Sequence, residues 1–281
     1  SGEMTRITMS QVAINNMAYR RYSFDFFLES AQRLGIRKIE LCGCHPHFTM
    51  FEAREFDTKQ LAKKIRDHGL VVSAIEPEQN FLPINIAALD GYFRKQSVRQ
   101  LAFFIERARY FDCDKVIVYP GKALMNHPHS EAWKYARESI EELSRIAEKN
   151  DVTILLEAVS SFISDLMMDS ATLARMMREV DADNIGCCVN SSAAYAAKET
   201  LDDYFRRFGD KIGLVQLSDS VEDNEQLPWG TGLQDLDSHL RTLRERNYTG
   251  DIAMELLEEE LAGDPEANYR ESIAYFRKHI D

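Results

Sequence analysis

The chain has 281 residues, 44% hydrophobic and 28% charged, the make-up of a soluble globule with a sizeable core. Its formal net charge of -12 sets up a field that repels polyphosphates, which argues against DNA or RNA as a partner. No run approaches the ~20 apolar residues of a membrane span and the first thirty residues lack the apolar core of a signal peptide, so no membrane is expected and the expected location is cytoplasmic.

Short β-rich runs recur along the chain, at 7–14, 37–42, 71–76, 115–120, 152–157, 185–190, 212–219 and 251–256. Between them lie charge-rich segments with apolar residues at three and four spacing, such as Phe24, Phe27, Leu28, Ala31 and Leu34, or Ile140, Leu143, Ile146 and Ala147, which predict amphipathic helices. Gly35, Gly69 and Gly250 stand between helix and strand, where a helix C-cap feeds the next strand. Eight strand-helix units with near-continuous apolar strands predict an α/β fold, a (β/α)8 TIM barrel formed as one domain over 1–281. An open doubly wound sheet is the alternative, but no G-x-G-x-x-G or P-loop pattern follows the first strand. Gly230-Thr231-Gly232 falls where barrels place phosphate loops, although a turn into the helix near 235 is the simpler reading.

In such a barrel the chemistry belongs at the carboxyl ends of the strands. Those ends carry Glu40 or His47 for the second strand, Glu76 and Glu78 for the third, Tyr119, Glu157 and Asn190 for the next three, Gln216 and Asp219 for the seventh, and Glu255 for the eighth. A carboxylate that ends a buried strand is costly unless it is paired, protonated or coordinated, so Glu157 and Glu255 point to one shared site. Glu157, Asn190, Gln216 and Glu255 supply four oxygen donors, a set that suits a hard divalent cation such as Mn2+ or Mg2+. The competing reading is that Asn190 and Gln216 cap loops and satisfy backbone groups.

The whole chain resembles the sugar isomerase and epimerase superfamily of xylose isomerase-like barrels, and within it the fructoselysine 3-epimerase branch. The carrying segments are Ile39-Glu40-Leu41 with Pro46-His47-Phe48, Pro77-Glu78-Gln79-Asn80-Phe81-Leu82-Pro83-Ile84-Asn85, Leu155-Leu156-Glu157, Val215-Gln216-Leu217-Ser218-Asp219-Ser220, Pro228-Trp229-Gly230-Thr231-Gly232 and Met254-Glu255-Leu256. The resemblance implies epimerisation at C3 of a small-molecule ketose or ketosamine, assisted by a divalent metal. Glu157 and Glu255 would exchange the C3 proton on opposite faces, and His47, Glu78 and Asn80 would orient the sugar. Family members often form dimers or tetramers, so a homo-oligomer is an expectation carried by the resemblance alone.

The departures bear on the metal. Where the family has Asp and His at the ends of strands six and seven, this chain has Asn190 and Gln216; Ile163 and Gln226 stand where a Glu and a His are common. Loss of charge and of an imidazole weakens the hold on a cation, which leaves two expectations: an active isomerase or epimerase, and a sugar-binding barrel that has lost the metal site and does not turn over. Trp229 offers either a stacking face for a sugar or plain packing. The run Glu258-Glu259-Glu260 reads as a solvated loop with a lid as the lesser option. The five cysteines, at 42, 44, 113, 187 and 188, read as reduced, buried thiols rather than a zinc site, because neighbours on a strand point to opposite faces.

Overall fold

A computed structural model describes residues 4–80, 83–222, 224–257 and 263–280; the acidic run 258–260 lies outside these. Eight parallel strands close into a barrel in the order β1-β10-β7-β6-β5-β4-β3-β2. They are β1 (Val12–Asn15), β2 (Lys38–Gly43), β3 (Val71–Pro77), β4 (Lys115–Val118), β5 (Thr153–Glu157), β6 (Ile185–Asn190), β7 (Ile212–Gln216) and β10 (Ile252–Met254). Helices run between them, α1 (Phe24–Arg33), α2 (Glu55–Asp67), α3 (Gly91–Arg107), α4 (His129–Lys149), α5 (Ser170–Val180), α6 (Ser191–Ala196), α7 (Leu201–Phe208), α8 (Leu236–Glu245) and α9 (Pro265–Ile280). The expected (β/α)8 barrel is therefore the fold. Among the described residues no helix is long and apolar enough to cross a membrane.

Two strands depart from the sequence reading. The first begins at Val12, because Met9–Gln11 form a 3-10 turn closed by Gln11, whose Oε1 accepts from Thr8 N at 2.9 Å. The seventh ends at Gln216, and the residues after it turn into an antiparallel hairpin, β8 (Asp219–Val221) and β9 (Asn224–Leu227), above the barrel. Helix starts follow local chemistry: Ser23, Asp90, Asp169, Thr200 and Asp235 each accept a backbone N–H from the first turn of their helix, satisfying donors that would otherwise be orphaned.

The barrel interior is filled by a plug of Ala13, Ala74, Ile117, Leu155, Cys188, Leu214 and Ala253. Strand side chains alternate in a period of two, so the next inward layer toward the carboxyl ends holds Asn15, Glu76, Tyr119, Glu157, Asn190, Gln216 and Glu255, each two residues beyond a plug residue. Glu40 joins this layer through its pairing with Asn15 in the β1–β2 register. Thus one parity rule carries seven of the eight strands from an apolar floor to a polar rim, and register adds β2.

Tyr269 of α9 fastens the seam where β1 meets β10. Its buried hydroxyl contacts Asn15 O at 2.9 Å and Met254 O at 3.2 Å and accepts from Asn15 N at 3.2 Å and Leu256 N at 3.3 Å. Removing that oxygen strands two buried backbone donors, Asn15 N on β1 and Leu256 N just after Glu255. Tyr269→Phe is expected to cost roughly 1–3 kcal/mol in urea unfolding; an unchanged midpoint would show that the seam does not depend on this hydroxyl.

Candidate active site

Four glutamates stand in the rim layer: Glu40, Glu157 and Glu255 are at most 1% exposed and Glu76 is 6% exposed. Among the described residues no lysine or arginine is buried, so no basic side chain offsets these carboxyls. Their partners are neutral. Asn15 Nδ2 donates to Glu40 Oε1 at 2.7 Å and to Glu76 Oε2 at 3.1 Å, the Tyr119 hydroxyl donates to Glu76 Oε1, and Gln216 Nε2 donates to Glu40 Oε2 at 3.0 Å. The Cys188 thiol and Asn190 Nδ2 donate to Glu157 at 3.2 and 3.4 Å, and Gln226 Nε2 donates to Glu255 Oε2 at 3.4 Å. The backbone of Glu255 is clamped by Ser218, whose hydroxyl donates to Glu255 O at 2.7 Å and accepts from Glu255 N at 3.2 Å.

Burial and mutual repulsion govern the protons. Burial, then the neighbouring Glu40 carboxyl, holds Glu76 and Glu255 well above the usual carboxylate range. Burial lifts Glu157 to about 8, with the hydrogen bond from Cys188 opposing it and the charge of Glu40 adding to it. The charge of Glu157 also contributes to the rise at Glu255, so the two carboxyls act on one another in one interior. A group poised near neutral pH can both take and return a proton.

Of the expected metal quartet, Glu157, Asn190, Gln216 and Glu255 all lie in this layer. Asn190 is the N-cap of α6, its Oδ1 accepting from Ser192 N at 2.9 Å and Ala193 N at 3.1 Å. Those two N–H donors fix the orientation of the amide, so it is Nδ2, a donor, that faces Glu157, and Asn190 does not fit the part of a cation ligand. Gln216 Oε1 and Glu255 Oε1 are buried without a hydrogen-bond partner. The full quartet therefore does not form a closed set of oxygen ligands.

The other expected binding residues bond to loop and backbone partners. His47 accepts from Asn16 Nδ2 at Nδ1 (2.9 Å) while its Nε2 donates to Tyr22 O (2.8 Å), so both ring nitrogens tie loops of the barrel mouth together. Glu78 Oε1 accepts from Asn80 N at 2.6 Å, which makes a local turn beside residues outside the described set. Trp229 is 3% exposed within the main apolar core and its indole N–H donates to Leu217 O at 3.4 Å; a sugar would have to displace packing to reach its face. Asp219 spends its carboxylate on Gly230 N, Gly232 N and Gln234 N at 3.2, 2.7 and 3.0 Å. A Cβ at position 232 would meet Asp219 Oδ1 at 2.4 Å, and Gly230 has φ +94°, so these glycines serve a turn whose N–H groups are not free for phosphate. All five cysteines are free and buried.

Glu40, Glu76 and Tyr119 carry no assigned role in the sequence reading, and Asn15 is not singled out there. The signal that finds them is parity: each plug residue plus two names a rim residue, and strand pairing adds Glu40.

The chain matches the family model described as xylose isomerase-like TIM barrel over residues 28–279; it belongs to that family. It is 23% identical over 261 residues to fructoselysine 3-epimerase of Shigella flexneri, covering 92% of this chain and 94% of the relative. Its fold superposes on D-psicose 3-epimerase from Clostridium cellulolyticum H10 with a TM-score of 0.79 at 14% identity, over 96% of this chain and 99% of that one. It superposes on the IOLI protein, solved with a bound zinc atom, with a TM-score of 0.76 at 18% identity, over 96% and 98% of the two chains.

The raised proton affinity of Glu157 has a measurable sign. The folded chain binds this proton more tightly than the unfolded chain, so the stabilisation is full below about pH 4.5 and is lost as pH rises through about 8. In EDTA, the free energy of urea unfolding is expected to fall across that window, and Glu157→Gln is expected to flatten the fall. An identical slope in the variant would contradict the assignment.

Proposed function

We propose that this chain is a sugar isomerase or epimerase that inverts C3 of a ketose or ketosamine, with Glu157 and Glu255 as its two proton carriers. The observation that carries the reading is the pair of enclosed carboxyls on β5 and directly after β10, each with raised proton affinity, with the charge of Glu157 adding to the rise at Glu255. Such a pair can remove the C3 proton from one face of a bound sugar and deliver a proton to the other. Cys188 and Asn190 hold Glu157 in register from β6, and Ser218 holds Glu255 from the loop after β7. The epimerase names of the relatives at full-length coverage support a ketose or an amino-acid conjugate such as fructoselysine as substrate. His47, Glu78 and Asn80 act in this reading by shaping the loops over the sugar.

Burial excludes water from the two carboxyls, which strengthens their interaction with a developing charge. Which glutamate acts as base depends on the epimer bound. A divalent cation such as Mn2+ or Mg2+ belongs to this reading, and when bound it supplies Lewis-acid polarisation of the sugar oxygens. A second reading, a sugar-binding barrel without turnover, is favoured by the uncharged amides at 190 and 216.

Incubation of the protein with ketohexoses and fructoselysine in D2O and Mn2+, followed by NMR, separates the two. The epimerase is expected to exchange the C3 proton, and Glu157→Gln and Glu255→Gln are each expected to lower kcat about 10²–10⁴-fold. Sugar binding with no deuterium at C3 from any of these substrates would support the second reading.

A further inference from the structure

The tightest cluster of carboxyls lies to one side of the expected metal quartet. Glu40, Glu76 and Glu255 each present a carboxylate oxygen, and the three atoms lie within 4.8 Å of one another. Three like charges this close, buried and without a basic neighbour, are strongly unfavourable until protons or a cation neutralise them. Asn15, Tyr119, Gln216 and Gln226 donate hydrogen bonds to the three, but none of these donors brings charge.

Gln216 supplies a separate observation. It is 1% exposed, its Nε2 is bonded to Glu40 Oε2, and its Oε1 has no donor. That carbonyl is carried on the same planar amide as the nitrogen that reaches Glu40, so a buried oxygen without a donor belongs to a side chain already in contact with the cluster. Glu255 Oε1 is buried and unpartnered as well. A shared proton satisfies one pair of oxygens at a time, whereas a cation satisfies several at once.

We propose that Glu40, Glu76 and Glu255, with the carbonyl of Gln216, form a divalent-cation site, displaced toward β2 and β3 from the quartet on β5, β6, β7 and the end of β10. Its donors are all oxygen, which suits Mn2+ or Mg2+ better than Zn2+. The displacement fits the state of Asn190, whose oxygen is committed to α6, and it keeps Glu157 out of the ligand set, free to move a proton. The role of the site in a reaction rests on the epimerase reading; ion binding does not.

Two measurements on the full chain, stripped with chelator and dialysed, test the site. Free Mn2+ counted by electron paramagnetic resonance is expected to show one ion bound per chain, with affinity reduced about tenfold or more in Glu76→Gln and little changed in Asn190→Ser, which keeps a capping oxygen. An anomalous difference map from wild-type crystals grown with Mn2+ is expected to place the ion among Glu40, Glu76 and Glu255, and needs no variant to fold. No binding at about 1 mM Mn2+, or a peak on Glu157 that does not touch Glu76, would overturn the proposal. A peak on Glu157 leaves the two-glutamate reading standing, whereas Mn2+ on the trio without C3 exchange in any ketose would establish the site and remove that reading.

Discussion

Four carboxyl groups share the inside of a closed barrel in which, among the described residues, no lysine or arginine is buried. Every other feature of the rim answers that constraint. Desolvation and like-charge repulsion raise the proton affinity of Glu76, Glu157 and Glu255, while amides, a thiol and a phenol hold the carboxyls in place without cancelling their charge. The result is a set of enclosed oxygens with raised proton affinity at Glu76, Glu157 and Glu255, the feature on which the proposed epimerase reading rests.

The fold provides this rim cheaply. Seven of the eight strands need only one polar residue two places beyond a plug residue, so a core that packs well delivers most of the functional layer without disturbing the floor beneath it. The supports come from outside the strands: Tyr269 reaches in from α9 to the seam between β1 and β10, Ser218 grips the backbone of Glu255, and Asp219 gathers the glycine turn at 230–232. These partners fix the backbone to which Glu255 and its neighbours belong, and rigidity there suits the proposed proton transfer, where small errors in position are costly.

Much of this was legible in the residues. The alternation of apolar runs with amphipathic helices specified an eight-stranded barrel, and the family resemblance located Glu157 and Glu255. Glu40 and Glu76 were visible as strand-end acids, yet their convergence depends on strand register and closure order, which no local pattern encodes. The roles of Asn190 and Gln216 turn on which end of each amide faces the site, a matter decided by the α6 backbone and by Glu40. Trp229 reads from sequence as either a sugar-stacking face or packing, and His47 as a sugar contact; the partners of their ring nitrogens, Leu217 O for Trp229 and Asn16 and Tyr22 for His47, are set by tertiary structure that no local pattern encodes. The β8–β9 hairpin was hidden because its first residue, Asp219, falls within the run that reads as the seventh strand, and neither DSV nor NEQL carries an apolar alternation.

The most direct test of the central claim is a crystal structure with a ketose bound in the barrel mouth. The account predicts that Glu157 and Glu255 approach C3 from opposite faces of the sugar, within hydrogen-bond reach of the carbon's substituents. A sugar held outside the rim, or both carboxyls on the same face of C3, would contradict it.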